Sequence, residues 1–306
     1  MPLAWHLDDV RDRARAAFLG LALGDALGAT VEFMTAAEIR ARHGFHREIV
    51  GGGWLSLRAG RVTDDTEMSL CVARAVDDAG GWDLGGIADR FAAWLRSRPA
   101  DVGSTVRRGI RRYMLEGTLT GPPGDGDAGN GAAMRMVPVA LATLADRALL
   151  ERRALEQARI THHHPLSDAA CLHVGELLHL ACLGRSLARL RRATDALAAR
   201  LPIFRPAPYG GLSSGYVVDT LRTVLHFFAT TRSFEDCVVA VVNQGGDADT
   251  TGAIAGALAG AYYGPGELPA RWLHRLDPDV RGEIGRLADR LVDLSPLGRG
   301  VPPEGY

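Results

Sequence analysis

Apolar side chains recur at intervals of three and four along most of the chain, in the windows 9–27, 65–79, 84–97, 102–116, 132–145, 149–161, 167–183, 216–229, 234–242, 250–263 and 278–294. That spacing is the period of an α-helix with one face turned inward. No series of alternating apolar and polar positions marks a set of strands, and no strand–helix–strand rhythm appears. Alanine and leucine dominate the windows, and aromatic residues make up only 6% of the chain. The pattern predicts an all-α protein, packed as one compact multi-helix domain. The connections at 51–61, 117–131 and 202–215 are rich in Gly and Pro, and no charged or low-complexity linker divides the chain. The last residues, from about 295 to 306, read as a loose tail.

Two of the predicted helices carry glycine at every fourth position: Gly20, Gly24 and Gly28 in one, and Gly252, Gly256, Gly260 and Gly264 in the other. Four-residue spacing places these residues in one stripe. Each glycine costs a helix about 1 kcal/mol relative to alanine, so a stripe of them points to two backbones crossing at close range. Tight packing accounts for the glycines. It does not account for the acids attached to the same helices.

Those acids form two clusters. The first is Thr63-Asp64-Asp65 in RVTDDTEMSL, and the second is Asp247-Ala248-Asp249-Thr250-Thr251 in GGDADTTG; Glu32 ends the first glycine-striped helix in GATVEF. Asp and Thr are favoured N-cap residues, and Asp64 with Glu67 has the spacing of a capping box. Taken singly, capping explains either cluster. Taken together it is strained, because a helix start needs one capping oxygen and adjacent carboxylates repel unless a cation neutralises them. Carboxylate and hydroxyl oxygens suit hard divalent ions such as Mg²⁺ or Mn²⁺, and a rigid helix tip is a suitable mount for a catalytic metal. Asp247 and Asp249 then read as metal ligands on the end of a buried helix. Successive side chains at His162, His163 and His164 point apart, so the three do not share one ion; contact of a loop histidine with substrate is the alternative. The Gly-rich run 124–135 could offer backbone N–H groups to a pyrophosphate, but it lacks both the P-loop Lys and a preceding strand, and turn-and-cap explains it when read alone.

Composition narrows the functions. With 35 basic and 36 acidic residues the chain has no basic excess for nucleic acid; Arg107, Arg108, Arg111 and Arg112 could meet phosphates or an acidic partner, but most of them read as a solvated helix face. Cys71, Cys171, Cys182 and Cys237 lack the C-x-x-C spacing and lie in apolar helical patterns, as buried reduced thiols do. The stretch MPLAWHLDDVRDRARA has no signal-peptide order, and the small apolar run 252–264 is too short to span a bilayer. A cytoplasmic protein is expected, without direct membrane insertion.

In this order, GLALGDALGATVEF, TDDTEMSL, GDAGNGAAMR, ITHHHPLSDAA and NQGGDADTTGAIAGALAGA resemble the ADP-ribosylglycohydrolase family, over about 13–294. The resemblance implies an all-α fold with two Mn²⁺ (or Mg²⁺). It implies Thr63, Asp64 and Asp65 as ligands of one ion, Asp249 as the bridge, and Asp247 and Thr250 as ligands of the second. It places Gly129, Asn130 and Gly131 at the ADP-ribose diphosphate, His162 near the substrate and Tyr216 near the adenine. Asp101 matches an acid that transfers a proton, with Glu32 and Asp64 as competing candidates. The segments TVEFMTAAEI, GGGWLSL, SRPADVG, RRGIRRYM and SSGYVVDT are similar to the family members that release ADP-ribose from an arginine of the nitrogenase iron protein. That implies the modified iron protein as substrate, a monomer, control by a PII-type signalling protein, and attachment at the inner membrane only through an ammonium channel. Two alternatives stand beside it: hydrolysis at another acceptor (serine, a toxin-modified arginine or a small metabolite), and a non-catalytic ADP-ribose-binding module.

Overall fold

A computed structural model of the chain describes residues 6–211 and 213–303. The first five residues of the N-terminal stretch and the last three of the expected tail lie outside it. The elements are α1 (Leu7–Gly28), α2 (Ala36–His43), α3 (Asp64–Ala79), α4 (Leu84–Arg96), α5 (Ser104–Glu116), α6 (Met136–Ala142), α7 (Arg147–Ala158), α8 (Pro165–Cys182), α9 (Leu187–Arg200), α10 (Val217–Thr230), α11 (Phe234–Val242), α12 (Ala248–Tyr263), α13 (Ala270–Arg275) and α14 (Pro278–Leu294). Among the described residues there is no strand, only isolated bridges such as Thr35 with Gly245 and Gly129 with Tyr216.

Every window predicted from periodicity holds a helix. Three further helices were not predicted. α2 and α13 have 8 and 6 residues, too few for a period to show. α9 has a readable stripe, with Leu190, Ala193 and Leu197 buried. The window 132–145 is helical only over Met136–Ala142. Its first turn is lost because the Arg135 guanidinium, through Nη1, takes the Gly131 carbonyl at 2.7 Å, the oxygen a helix would offer to the Arg135 amide.

α1 and α12 pack against each other more extensively than any other pair, and α14, α11, α10, α8 and α3 surround them. Their glycines face each other as the spacing predicted. A Cβ on Gly20, Gly24 or Gly28 would overlap the carbonyls of Gly256, Gly252 and Ala248, and a Cβ on Gly260 would overlap that of Ala16. Gly264 stands apart; it ends α12 with φ +86° and nothing nearby. The surrounding helices are tied down by paired contacts: Arg15 grips Asp289 through two nitrogens at 2.7 and 2.8 Å, and Arg74 grips Glu283 at 2.7 and 2.6 Å. All four cysteines are buried and unpaired. Ser295 and Leu297, in the first part of the expected tail, are buried against the helices. No helix among the described residues is long and apolar enough to cross a membrane.

Candidate active site

The glycine seam ends at a cavity of about 320 Å³ lined by Glu32, Phe33, Asp64, Asp101, Asn130, His162, Asp247, Asp249 and Thr250, with the N-terminal residues of α5 along one wall. α12 brings Asp249 and Thr250 in its first turn and Asp247 at its N-cap. Gly245 and Gly246 make that approach possible. Both have left-handed backbones, and a Cβ on either would overlap the carbonyl of Met34 or Ser213. The chain is pinned there by Gly246 N–H to the Met34 carbonyl at 2.8 Å and Asp247 N–H to the Ser213 carbonyl at 2.9 Å.

Neither acidic cluster caps its helix. The Asp247 side chain makes no cap bond and instead accepts from Asn130 Nδ2 at 2.8 Å. Thr63, the N-cap of α3, makes none either. The capping box of Asp64 and Glu67 does not form; Glu67 accepts from Arg61 at 2.5 Å and Trp94 at 2.7 Å. The donors at the start of α3 go to Asp25, a residue the sequence reading passed over. Fully buried on α1, its carboxylate accepts from the Thr63 amide with both oxygens at 3.0 Å, from Thr63 Oγ1 at 2.9 Å, and from the Thr66 amide and hydroxyl at 3.2 and 2.5 Å. Asp25 therefore does for α3 what a cap would do, and leaves Asp64 and Asp65 free of any capping role. An acid inside the apolar run GLALGDALGA was the available signal.

Glu32 does not end the glycine-striped helix as expected but lies in a turn beyond α1, four residues past its last residue Gly28, and accepts from the Trp54 indole N–H at 2.6 Å. One carboxylate oxygen from each of Glu32, Asp247 and Asp249 lies within 4.8 Å of the other two. Thr63 Oγ1 reaches Asp65 Oδ2 at 3.2 Å and Asp249 Oδ2 at 3.4 Å, while Thr250 Oγ1 reaches Asp65 Oδ2 at 3.3 Å. The other oxygen of Asp65, Oδ1, is buried without any hydrogen-bond partner. Burial drives the Asp64, Asp65 and Asp249 carboxyls well above their ordinary range, and neighbouring acids add to it. Burial likewise pushes Glu32 up to about 8, against the Trp54 hydrogen bond, and lifts Asp101. So many buried acids cannot all ionise without a counter-charge. The compact trio of carboxylates, the adjoining hydroxyls and the orphaned Asp65 oxygen fit a hard divalent cation. Asp64 lies outside the compact trio but lines the same cavity.

The Gly129-Asn130-Gly131 turn forms the facing wall. The Asn130 amide donates to the Gly215 carbonyl at 3.1 Å, and its side chain spans Thr220 at 2.9 Å and Asp247. The His162 ring packs under the turn, where a Cβ on Gly129 or Gly131 would come within 3.0 or 2.9 Å of it. Its Nδ1 meets Thr161 Oγ1 at 2.8 Å, and burial lowers its pKa to about 3, so the ring is neutral. His163 turns to the Gly121 carbonyl and His164 caps α8, so the three histidines diverge as expected. Arg135, fully buried, binds Gly131, Gln157 and Thr161 and fastens the turn from behind. Its role was not anticipated, although a cation inside AAMRMVPVAL signals a buried partner. Tyr216 pairs with Gly129 through the backbone and is half-exposed beside the cavity rather than in its lining. On α5, Arg108 binds Asp127 and Arg112 holds the Ile160 carbonyl at 2.7 Å, so part of the arginine face is engaged rather than solvated.

A fold of helices around a glycine seam, with an acidic cavity at one end, defines the class. Residues 6–299 match the ADP-ribosylglycohydrolase family model, and the chain belongs to that family of hydrolases. It is 56% identical over 288 residues to the ADP-ribosyl-[dinitrogen reductase] glycohydrolase of Rhodospirillum rubrum, covering 94% of this chain and 98% of that one. It is 32% identical over 303 residues to the ADP-ribosylarginine hydrolase Tri1 of Serratia proteamaculans, covering 93% and 80%. A solved ADP-ribosylglycohydrolase-related protein complex superposes with a TM-score of 0.82 at 36% identity, covering 94% of this chain and 99% of that chain.

Proposed function

We propose that the protein hydrolyses the N-glycosidic bond between ADP-ribose and an arginine side chain, and that its substrate is ADP-ribosylated dinitrogenase reductase, the nitrogenase iron protein. The observation that carries this reading is the convergence of acids at the end of the seam, where neither cluster caps its helix; the high identity to the Rhodospirillum rubrum relative supports the substrate. Two Mn²⁺ or Mg²⁺ would be held by Thr63, Asp64, Asp65, Asp247, Asp249 and Thr250, with Asp249 between them, and would supply Lewis acidity and orientation of the ribose hydroxyls.

In the reaction the bond from ribose C1″ to the guanidine nitrogen breaks, and the oxygen of a water bonds to C1″. One proton of that water ends on the departing nitrogen, which is too basic to leave as an anion. Positive charge develops on the ribose as the bond stretches, and a cavity lined by carboxylates favours that charge. Asp101, half-buried and held by the Val102 amide at 2.7 Å, is assigned the proton transfer; Glu32 and Asp64 are the competing acids. The diphosphate is assigned to the backbone of the Gly129-Asn130-Gly131 turn, whose glycines let it lie close on the His162 ring, with Asn130 fixed between them. His162 supports that turn, and Tyr216 borders the adenine end.

The test is release of free ADP-ribose from iron protein modified on arginine, compared with a peptide modified on serine. Preferential release from arginine is expected. Release from serine alone would move the proposal to another acceptor, and retention of both intact would favour a binding module.

A further inference from the structure

Beside the acid cavity stands a pair of rings that no step above uses. Phe33 lines the cavity next to Glu32, yet its side chain is 65% exposed. Its backbone has φ +63°, a left-handed conformation that is a true outlier for a bulky residue. The conformation is enforced: the Phe33 amide donates to the Gly246 carbonyl at 2.6 Å, within the loop that carries Asp247. Trp54, 53% exposed, lies against Phe33 with ring centroids 5.4 Å apart and planes inclined by 47°. It is delivered by Gly51–Gly53, where a Cβ on Gly53 would overlap the Ala29 carbonyl at the end of α1. Its indole N–H is tied to Glu32. Two large exposed rings contribute little to a core, and strained backbone is retained where the surroundings enforce it, commonly at ligand sites. Here the surroundings are the machinery of the site itself.

We infer that Phe33 and Trp54 form the acceptor subsite, an aromatic platform that receives the planar guanidinium of the modified arginine. This rests on the proposed reaction. A guanidinium stacks on aromatic faces and is attracted by their electron density, an attraction that the neutral hydroxyl of serine lacks. The free product ADP-ribose has no acceptor and does not use the rings.

The experiment compares the full-length Mn²⁺-loaded protein with Phe33→Ala, which keeps the Cβ and the same backbone demand. Three quantities are read: kcat/KM on arginine-modified and serine-modified peptides, Kd for ADP-ribose, and binding of ethylguanidinium to the protein saturated with ADP-ribose. Phe33→Ala should lower kcat/KM on the arginine peptide and weaken ethylguanidinium by about tenfold, leaving ADP-ribose binding within about twofold. Trp54→Phe should keep the arginine preference while lowering kcat on either peptide, because Glu32 loses its donor. Equal losses on both peptides, or unchanged ethylguanidinium binding in Phe33→Ala, would overturn the subsite. If the wild-type protein binds ethylguanidinium through Phe33 but does not cleave the arginine peptide, the subsite stands and the proposed reaction falls.

Discussion

The two ends of the α1–α12 pair are built on opposite principles. Along the seam, backbone touches backbone, because glycines remove the side chains that would intervene. At the mouth, the same two helices and their flanking turns bring Asp247 together with Asp25, Glu32 and Asp249, and burial opposes the charge of the last three. The seam is optimised for stability and the mouth sacrifices it. The difference shows what a seam without side chains provides: two rigid axes whose ends cannot drift, so that acids from distant parts of the chain keep a fixed spacing.

The comparison breaks first at the mouth. Asp249→Ala should lower turnover by about 10³-fold or more, the scale of removing a group that stabilises a developing charge, and should weaken metal binding. In metal-free protein it should not lower the melting temperature, because it removes one of several repelling acids. A calorimetric melt beside an activity assay reads both. A clear drop in metal-free stability with turnover retained would reverse the assignment of the two regions.

The seam responds in the opposite sense. Gly24→Ala places a methyl group on the Gly252 carbonyl, and overpacking of this kind costs about 1–3 kcal/mol. Denaturant titration should show that loss with or without metal. Asp25→Asn lies between the two regions. An amide cannot accept from the Thr63 and Thr66 donors with both of its heavy atoms, so a buried donor is stranded at about 1–3 kcal/mol, and turnover should fall as the start of α3 loosens. Wild-type metal affinity and turnover in Asp25→Asn would show that α3 needs no such anchor.

The smallest effect is a pH dependence. The folded metal-free protein holds Glu32 at about 8, and Asp64, Asp65 and Asp249 well above the usual carboxylate range, all because of burial. Unfolded, these groups titrate near about 4. Between those values the folded state binds more protons, so its stability falls as pH rises toward the folded pKa. Buried His162, at about 3 when folded, works the other way only below its unfolded value of about 6.5. Between about pH 7 and 8.5 the carboxylates should therefore dominate: melting temperature falls with pH in metal-free protein, and less so with Mn²⁺. A rise over that interval without metal would contradict the picture.

Much of this architecture was legible because it is periodic. The helix windows, the facing glycines and the paired acids of 63–65 and 247–250 repeat or cluster within one short segment. The rest depends on contacts between segments far apart in sequence. Asp25 looks like one acid in a helical pattern until Thr63 and Thr66 arrive from another helix. Arg135 needs Gln157 and Thr161 to become a fastener, and Trp54 gains meaning only from Glu32. The reading of Asp64 with Glu67 as a capping box fails for the same reason, since a distant carboxylate supplies the cap.

The central claim is that the acid cluster is held ready for divalent cations by the helices behind it. Its most direct measurement is a calorimetric titration of Mn²⁺ into chelator-treated wild-type protein and into Asp249→Ala. The account predicts saturable binding of two ions with proton release in the wild type, and loss of tight binding in the variant. An absence of saturable binding to the wild type, or the same stoichiometry and affinity in both proteins, would contradict it.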